Sequence, residues 1–445
     1  MAREPRWGIG RGRFVRALAL RVTLAGLALA AGACRLGSDD FRFVSQPMTQ
    51  SVLGEAWTYT PVIEGGTRYE LRIVSGPPGM TVSQLTGEYS WTPALADLGT
   101  HPIVLDAVQE DTGTTDTQSF DLRVHQGLEL GVTLSPRGHT GASTPDDFVA
   151  HYEDRARGRL RAFHGNWRGS VATAGVIPQH ALAGMAGAAS FGYVPAIGIG
   201  WADGNGVPDL TSGSSAENSW LNAETRQLFL DMVTRLATDH RPPFLFLGNE
   251  INLYYEAHTQ TEWDAWVSEL EACADAIHAA SPQTVVYTTF QLEFLAGLGA
   301  NAGWAGPARW ELVDDVTASG KLDAIGFTTY PYLEYDTLGE LPADHWSGIL
   351  AHTTGPVIFS EVAWPAAAHA PYPGDELDQA DFVSTFLDGI SGLDVLYAAW
   401  LFDHDWDQEL TVPAFASTGL RDNLELVPRA ADAVWQAEVQ RRQAP

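Results

Sequence analysis

The sequence predicts a (β/α)8 barrel of the α/β class, the TIM-barrel architecture, preceded by a small all-β sandwich. Three observations carry that expectation. A chain of 445 residues is too long for one ordinary domain and suits a small unit plus one of barrel size. Between about residues 41 and 126, short apolar-polar alternations are punctuated by Gly/Pro turns. From Leu128 onward, apolar runs alternate with amphipathic helical stretches, the pattern of β-α repetition around a parallel sheet.

Ahead of both units, Arg3, Arg6, Arg11, Arg13, Arg16 and Arg21 precede an apolar stretch from Val22 to Ala31, too short for a permanent membrane span and suited to an export signal. It ends Ala31-Gly32-Ala33-Cys34, which resembles a bacterial lipobox. The resemblance implies a signal over 1–33, lipidation of Cys34, a tether over 34–40 and an envelope-anchored protein facing the outer membrane or cell surface. Ordinary cleavage nearby is the alternative. The other cysteine, Cys273, sits in a helical pattern and reads as core, so no disulfide is expected.

In the 41–126 segment, the runs at Trp57, Tyr69, His101 and Ser119 alternate with period two, separated by turns such as Gly65-Gly66 and Gly76-Pro77-Pro78-Gly79. Pro78-Gly79-Met80, then Gly87 through Trp91-Thr92-Pro93 and Leu98-Gly99, resembles the immunoglobulin-like modules found beside catalytic domains of exported bacterial proteins. The resemblance implies a spacer with Trp91 in its core. The remainder, 127–445, forms the barrel, with strands expected at 128–135, 158–165, 193–200, 244–251, 284–290, 322–329, 357–363 and 395–402. Helix starts are legible at Thr144-Pro145-Asp146-Asp147 and in the box Thr259 to Glu262, followed by an apolar stripe of Trp263, Trp266, Val267, Leu270 and Cys273. A doubly wound sheet is the competing architecture, but its Gly-rich phosphate turn is missing, Gly198-Ile199-Gly200 lacking the third glycine.

In a barrel, residues at the C-terminal strand ends meet in one pocket. Strand four ends in Asn249-Glu250 and strand seven in Ser360-Glu361, each carboxylate standing where an apolar run meets polar loop. Two such carboxylates can flank a glycosidic bond, one protonating the leaving oxygen while the other attacks the anomeric carbon. The pair resembles the clan of retaining glycosidases with acid/base and nucleophile on strands four and seven. Gly248-Asn249-Glu250-Ile251, the strand-six run from Asp323 to Tyr330-Pro331-Tyr332, and Glu361-Val362-Ala363-Trp364-Pro365 are similar to the arabinogalactan endo-β-1,4-galactanase family.

That resemblance implies Glu250 as acid/base, Glu361 as nucleophile, Asn249 on the sugar 2-hydroxyl, Tyr330 and Arg161 as donors to Glu361, and Trp364 and Trp400 as sugar platforms. Trp167, Trp201, Trp406, Tyr254, Tyr255 and Tyr332 are further aromatic candidates, as readily packed as binding.

Fifteen tryptophans and a formal charge of −29 fit a neutral glycan better than nucleic acid or an anionic polymer. Loss of 1–33 removes six arginines and one glutamate and moves the charge to −34. No cofactor and no metal are expected, since neither a His-Glu-x-x-His nor a paired-cysteine motif occurs; Asp403-His404-Asp405 suits a structural cation or, more readily, a polar loop over the pocket. Ser214 and Ser215 lack a serine-hydrolase context. A monomer is expected. The expectation is therefore an endo-acting retaining hydrolase of a neutral β-linked polysaccharide, β-1,4-galactan ahead of β-mannan or β-glucan. The alternative is a glycan-binding surface lipoprotein with a degenerate barrel.

Overall fold

The computed structural model describes residues 41–45, 47–52, 56–66, 68–94, 97, 99–125, 127–133, 155–166, 177, 179–201, 219–405, 413–422 and 427–443. Cys34, Trp167, Ser214, Ser215, Trp406 and the helix start at Thr144 lie outside them.

The N-terminal unit contains β1 (Arg42–Phe43), β2 (Gln50–Val52), β3 (Trp57–Tyr59), β4 (Ile63–Glu64), β5 (Tyr69–Ser75), β6 (Thr81–Ser83), β7 (Glu88–Trp91), β8 (Gly99–Gln109) and β9 (Thr115–His125). They form sheets of order β1-β4, β2-β9-β8-β5 and β3-β7-β6, antiparallel except for the β2–β9 pair. Alternation in β8 turns Ile103, Leu105 and Ala107 inward. There they meet Trp57, Tyr59, Tyr89 and Trp91 from the three-stranded sheet in one buried core. Trp91 is thus a core residue, edge-on to His101.

The second unit runs β10 (Glu129–Thr133), β11 (Leu160–Asn166), α1 (Gln179–Phe191), β12 (Val194–Gly200), α2 (Ala223–His240), β13 (Phe244–Leu247), α3 (Ile251–Ala257), α4 (Gln260–Ala280), β14 (Val285–Tyr287), β15 (Thr289–Gln291), α5 (Leu292–Leu295) and α6 (Glu311–Thr317). It continues with β16 (Ile325–Thr329), β17 (Val357–Val362), a hairpin of β18 (Ala367–His369) and β19 (Tyr372–Asp375), α7 (Glu376–Gly389), β20 (Val395–Trp400) and α8 (Ala430–Gln443). Nine of these strands form one parallel sheet, β14-β13-β12-β11-β10-β20-β17-β16-β15. Its two end strands are halves of one run broken at Thr288, so the sheet closes on itself with eight staves. This is the (β/α)8 barrel.

Both faces of the strands are buried, as a parallel sheet under helices requires. Leu160, Ala162, Ala196, Phe244, Phe246, Tyr287, Ile358, Tyr397 and Ala399 pack together inside. Phe244 on β13 touches Tyr397 on β20 at 5.1 Å between ring centroids, four staves away around the wall, so the contact crosses the lumen. Gly198 makes room for this filling, since a Cβ there would stand 1.8 Å from the Phe246 ring. The other strand face meets the helices. The α4 stripe of Trp263, Trp266, Leu270 and Cys273 is buried in that layer, and Thr259 and Glu262 form the full capping box that starts the helix.

Candidate active site

Strand β13 stops abruptly because the chain turns through Gly248 at φ +79°, where a Cβ would come within 2.7 Å of Trp201 Nε1 and Ile251 Cγ2. Glu250 follows at φ 50°, ψ 48°, left-handed backbone for a non-glycine residue, and α3 begins at the next position. Such a conformation costs on the order of 1 kcal/mol and persists only where the surroundings hold it. Thr289 is one such restraint. Its hydroxyl accepts from the Glu250 N–H at 2.9 Å and donates to Asn249 Oδ1 at 2.8 Å. With that oxygen engaged, the Asn249 amide NH2 is the end left to serve a ligand.

The two carboxylates converge across β16. Glu361 sits on β17 in register with Thr328, and the Thr328 hydroxyl donates to Glu250 Oε1 at 2.7 Å. The Tyr330 hydroxyl donates to Glu361 Oε2. Burial pushes the Glu250 carboxyl up to about 8, the charge of Glu361 and more weakly that of Glu293 adding to it, while the Thr328 hydrogen bond works against it. Burial and the Glu361 charge also hold the Tyr330 hydroxyl well above the usual phenol range, so it stays a donor. One group thus keeps its proton at neutral pH beside a second carboxylate with a fixed donor, a division of labour suited to acid and nucleophile.

Three expected residues are placed elsewhere. Arg161 lies on the β11 face that carries Phe163 toward the helices, because Leu160 and Ala162 take the interior positions. Its guanidinium covers the Tyr193 ring at 4.1 Å and donates to the Gly158 and Leu160 carbonyls, toward the strand's start and away from Glu361. Arg159 pairs with Glu129 at the same end.

Trp400 is also turned outward. Its Nε1 donates to the Thr418 carbonyl and its ring packs on Phe382 and Trp435, leaving no face for a sugar. Trp364 is fully buried between Tyr332 and Phe382. Among the remaining aromatic candidates, Trp201 is a core plug against Trp220, Tyr254 and Trp266, and Tyr332 is likewise buried. Tyr255 is partly buried beside Arg309.

Asp403 and Asp405 are committed to arginines. Asp403 meets Arg157 and Arg421, and Asp405 takes a two-pronged bond from Arg429. Among the described residues no cluster of His, Cys, Asp and Glu is arranged to hold a metal ion.

Residues the sequence did not single out complete the site. Thr289, Thr328 and Glu293 belong to no motif in the sequence. Phe415 stands past strand eight with no pattern around it. It is half-buried, its ring 5.5 Å from that of Tyr330 and 6.1 Å from Phe402, and so joins the site through Tyr330. A concavity of about 310 Å³ lined by Asp323, Ala324, Ile325, Thr353 and Pro356 opens at the opposite end of β16 and β17, the end that serves stability in this architecture.

No family model matches the sequence, and comparison with curated proteins finds no match. Among solved structures, the chain is similar to GH5_18 from Streptomyces cattleya in complex with GlcNAc, with TM-score 0.55 and 17% identity over 72% of this chain and 82% of that one. It is similar also to an exo-β-1,4-mannosidase from Opitutaceae bacterium strain TAV5, with TM-score 0.53 and 14% identity over 72% and 61% of the two chains. A family 39 glycoside hydrolase from Bacteroides cellulosilyticus aligns over 91% and 83%, with TM-score 0.47 and 15% identity. These structural neighbours are glycoside hydrolases, and at such identities the two likenesses above a TM-score of 0.5 speak for a shared barrel fold.

Proposed function

We propose that the chain is a retaining glycoside hydrolase acting on a neutral β-linked glycan. The observation that carries this reading is the meeting of Glu250, whose carboxyl burial pushes up to about 8, with Glu361, which accepts from Tyr330, at one end of the barrel. In the first step Glu250 gives its proton to the glycosidic oxygen as that oxygen's bond to the anomeric carbon breaks, and a Glu361 oxygen bonds to the same carbon from the opposite face. In the second, the Glu250 carboxylate takes a proton from water, the water oxygen attacks the anomeric carbon, and Glu361 leaves as a carboxylate. Asn249 offers its NH2 to the 2-hydroxyl, and Phe415 supplies the aromatic wall.

The resemblance of the strand-four, strand-six and strand-seven motifs to the galactanase family favours β-1,4-galactan and endo action, and the −29 charge favours an uncharged polymer. We further propose that the N-terminal sandwich is a spacer and that lipidation at Cys34 holds the enzyme at the envelope.

The test is turnover of β-1,4-galactan, β-mannan and β-glucan by the unaltered chain and by Glu250→Ala and Glu361→Ala. Losses of about 10³-fold or more in both variants, with the fold retained, are expected for groups acting in the transition state. Glycan binding with no turnover by the unaltered chain would overturn the reading in favour of a binding protein.

A further inference from the structure

Beneath the two carboxylates lies a third, Glu293, at the start of α5. It is fully buried and accepts four hydrogen bonds, two on each oxygen. Gln291 Nε2 at 2.5 Å and the Tyr330 N–H at 2.9 Å reach Oε2. The Thr329 hydroxyl at 2.8 Å and His345 Nε2 at 3.2 Å reach Oε1. The donors come from the ends of β15 and β16 and from a loop, and those at the strand ends each have a second tie. Gln291 exchanges two backbone hydrogen bonds with the Asn252 side chain, two residues after Glu250. Thr329 accepts from Trp346 Nε1, and Tyr330 donates its hydroxyl to Glu361.

The bonds form one arc. It begins at Asn252 beside the Glu250 turn, passes through Gln291 to Glu293, crosses to the Tyr330 backbone, and ends on Glu361. We infer that Glu293 is a positioning residue, the hub that fixes Tyr330 on Glu361 and sets Glu361 against Glu250. The inference rests on the hydrolase reading and deepens it. Nothing at the hub touches a reacting atom, so Glu293 positions the pair through Tyr330, its charge adding only weakly at Glu250.

A carboxylate suits the hub because four donors converge on it and a carboxylate only accepts. Glutamine in its place would turn an NH2 toward two of them. Since misplacing a catalytic group by about 1 Å costs about 100-fold, Glu293→Gln is expected to lower kcat by about 10- to 100-fold while KM stays within about threefold.

Simple loss of stability would also lower activity, so the deciding measurement is a double-mutant cycle on kcat with Tyr330→Phe, at a temperature where each variant is shown folded by circular dichroism. If Glu293 works through Tyr330, the double variant is no slower than the slower single variant. If the two losses multiply, the residues act independently and the inference is overturned, as it is by an unchanged kcat in Glu293→Gln. Should Glu293→Gln fail to fold, Glu293→Asp, which keeps the charge but withdraws it by one methylene, is put through the same cycle with the same two outcomes. Absence of turnover by the unaltered chain would instead defeat the hydrolase reading.

Discussion

At the residue scale, the proposed chemistry rests on the proton of Glu250. The acid must be protonated when the glycosidic bond breaks, so kcat/KM is expected to fall as pH rises through about 8. Thr328→Val removes the hydrogen bond that opposes the upward shift, and its alkaline limb should move to higher pH in the same rate profile. The raised value also has a cost in stability. Below about 4.5 the folded and unfolded chains both hold this proton. Between about 4.5 and 8 the unfolded chain releases it and the folded chain keeps it, so stability drains away with rising pH and the loss is complete above about 8. Glu250→Gln is therefore expected to melt at higher temperature than the unaltered chain at pH 8 and at the same temperature at pH 4, a gain on the order of a few kcal/mol. Thermal melts at the two pH values check it.

The proposed catalytic pair was legible because Asn-Glu at one strand end and Glu at another are chemically unusual there. Its supports were not, since Thr289, Thr328 and Glu293 acquire meaning only when three strand ends are brought together. Phe415 carried no signal at all.

At the scale of elements, strand existence was readable and strand phase was not. Apolar runs gave the eight staves, but a parallel strand is buried on both faces, and composition does not tell inside from outside. A shift of one residue exchanges the faces. On β11, Leu160 and Ala162 take the interior and send Arg161 out. On β20, Leu396 and Tyr397 both join the interior cluster, the pairing with β17 slips, and Trp400 ends among the helices. Strand four ends earlier than 251 because Gly248 and Glu250 adopt positive φ.

The Asp403–Asp405 segment, a candidate cation site or loop, is a buried ionic seam. Arg157 joins Asp403, after the last barrel strand, to Asp432 in α8, with almost none of the three exposed. Removing Arg157 takes the cation from Asp432 and leaves Asp403 to Arg421, so Arg157→Ala is expected to cost about 3–5 kcal/mol. Replacing Arg157 and Asp432 together with apolar residues should cost less, because fewer charges are left unmatched. Denaturant unfolding of both variants measures the difference.

At the scale of the molecule, the sequence conveyed architecture better than specificity. Two kinds of periodicity separated sandwich from barrel, and the barrel then dictated where strand-end carboxylates meet. Sugar choice depends on the shape of loops, which no spacing encodes. The N-terminal core, built from Trp57, Tyr89 and Trp91 against β8 and β9, is complete on its own terms. The chemistry in this account lies wholly on the barrel. The central claim is double displacement by Glu250 and Glu361, and the stereochemistry of the first-formed product tests it most directly. Proton NMR of the unaltered chain acting on whichever β-linked oligosaccharide it cleaves, followed before mutarotation, should show the β-anomer appearing first. First appearance of the α-anomer would contradict the account.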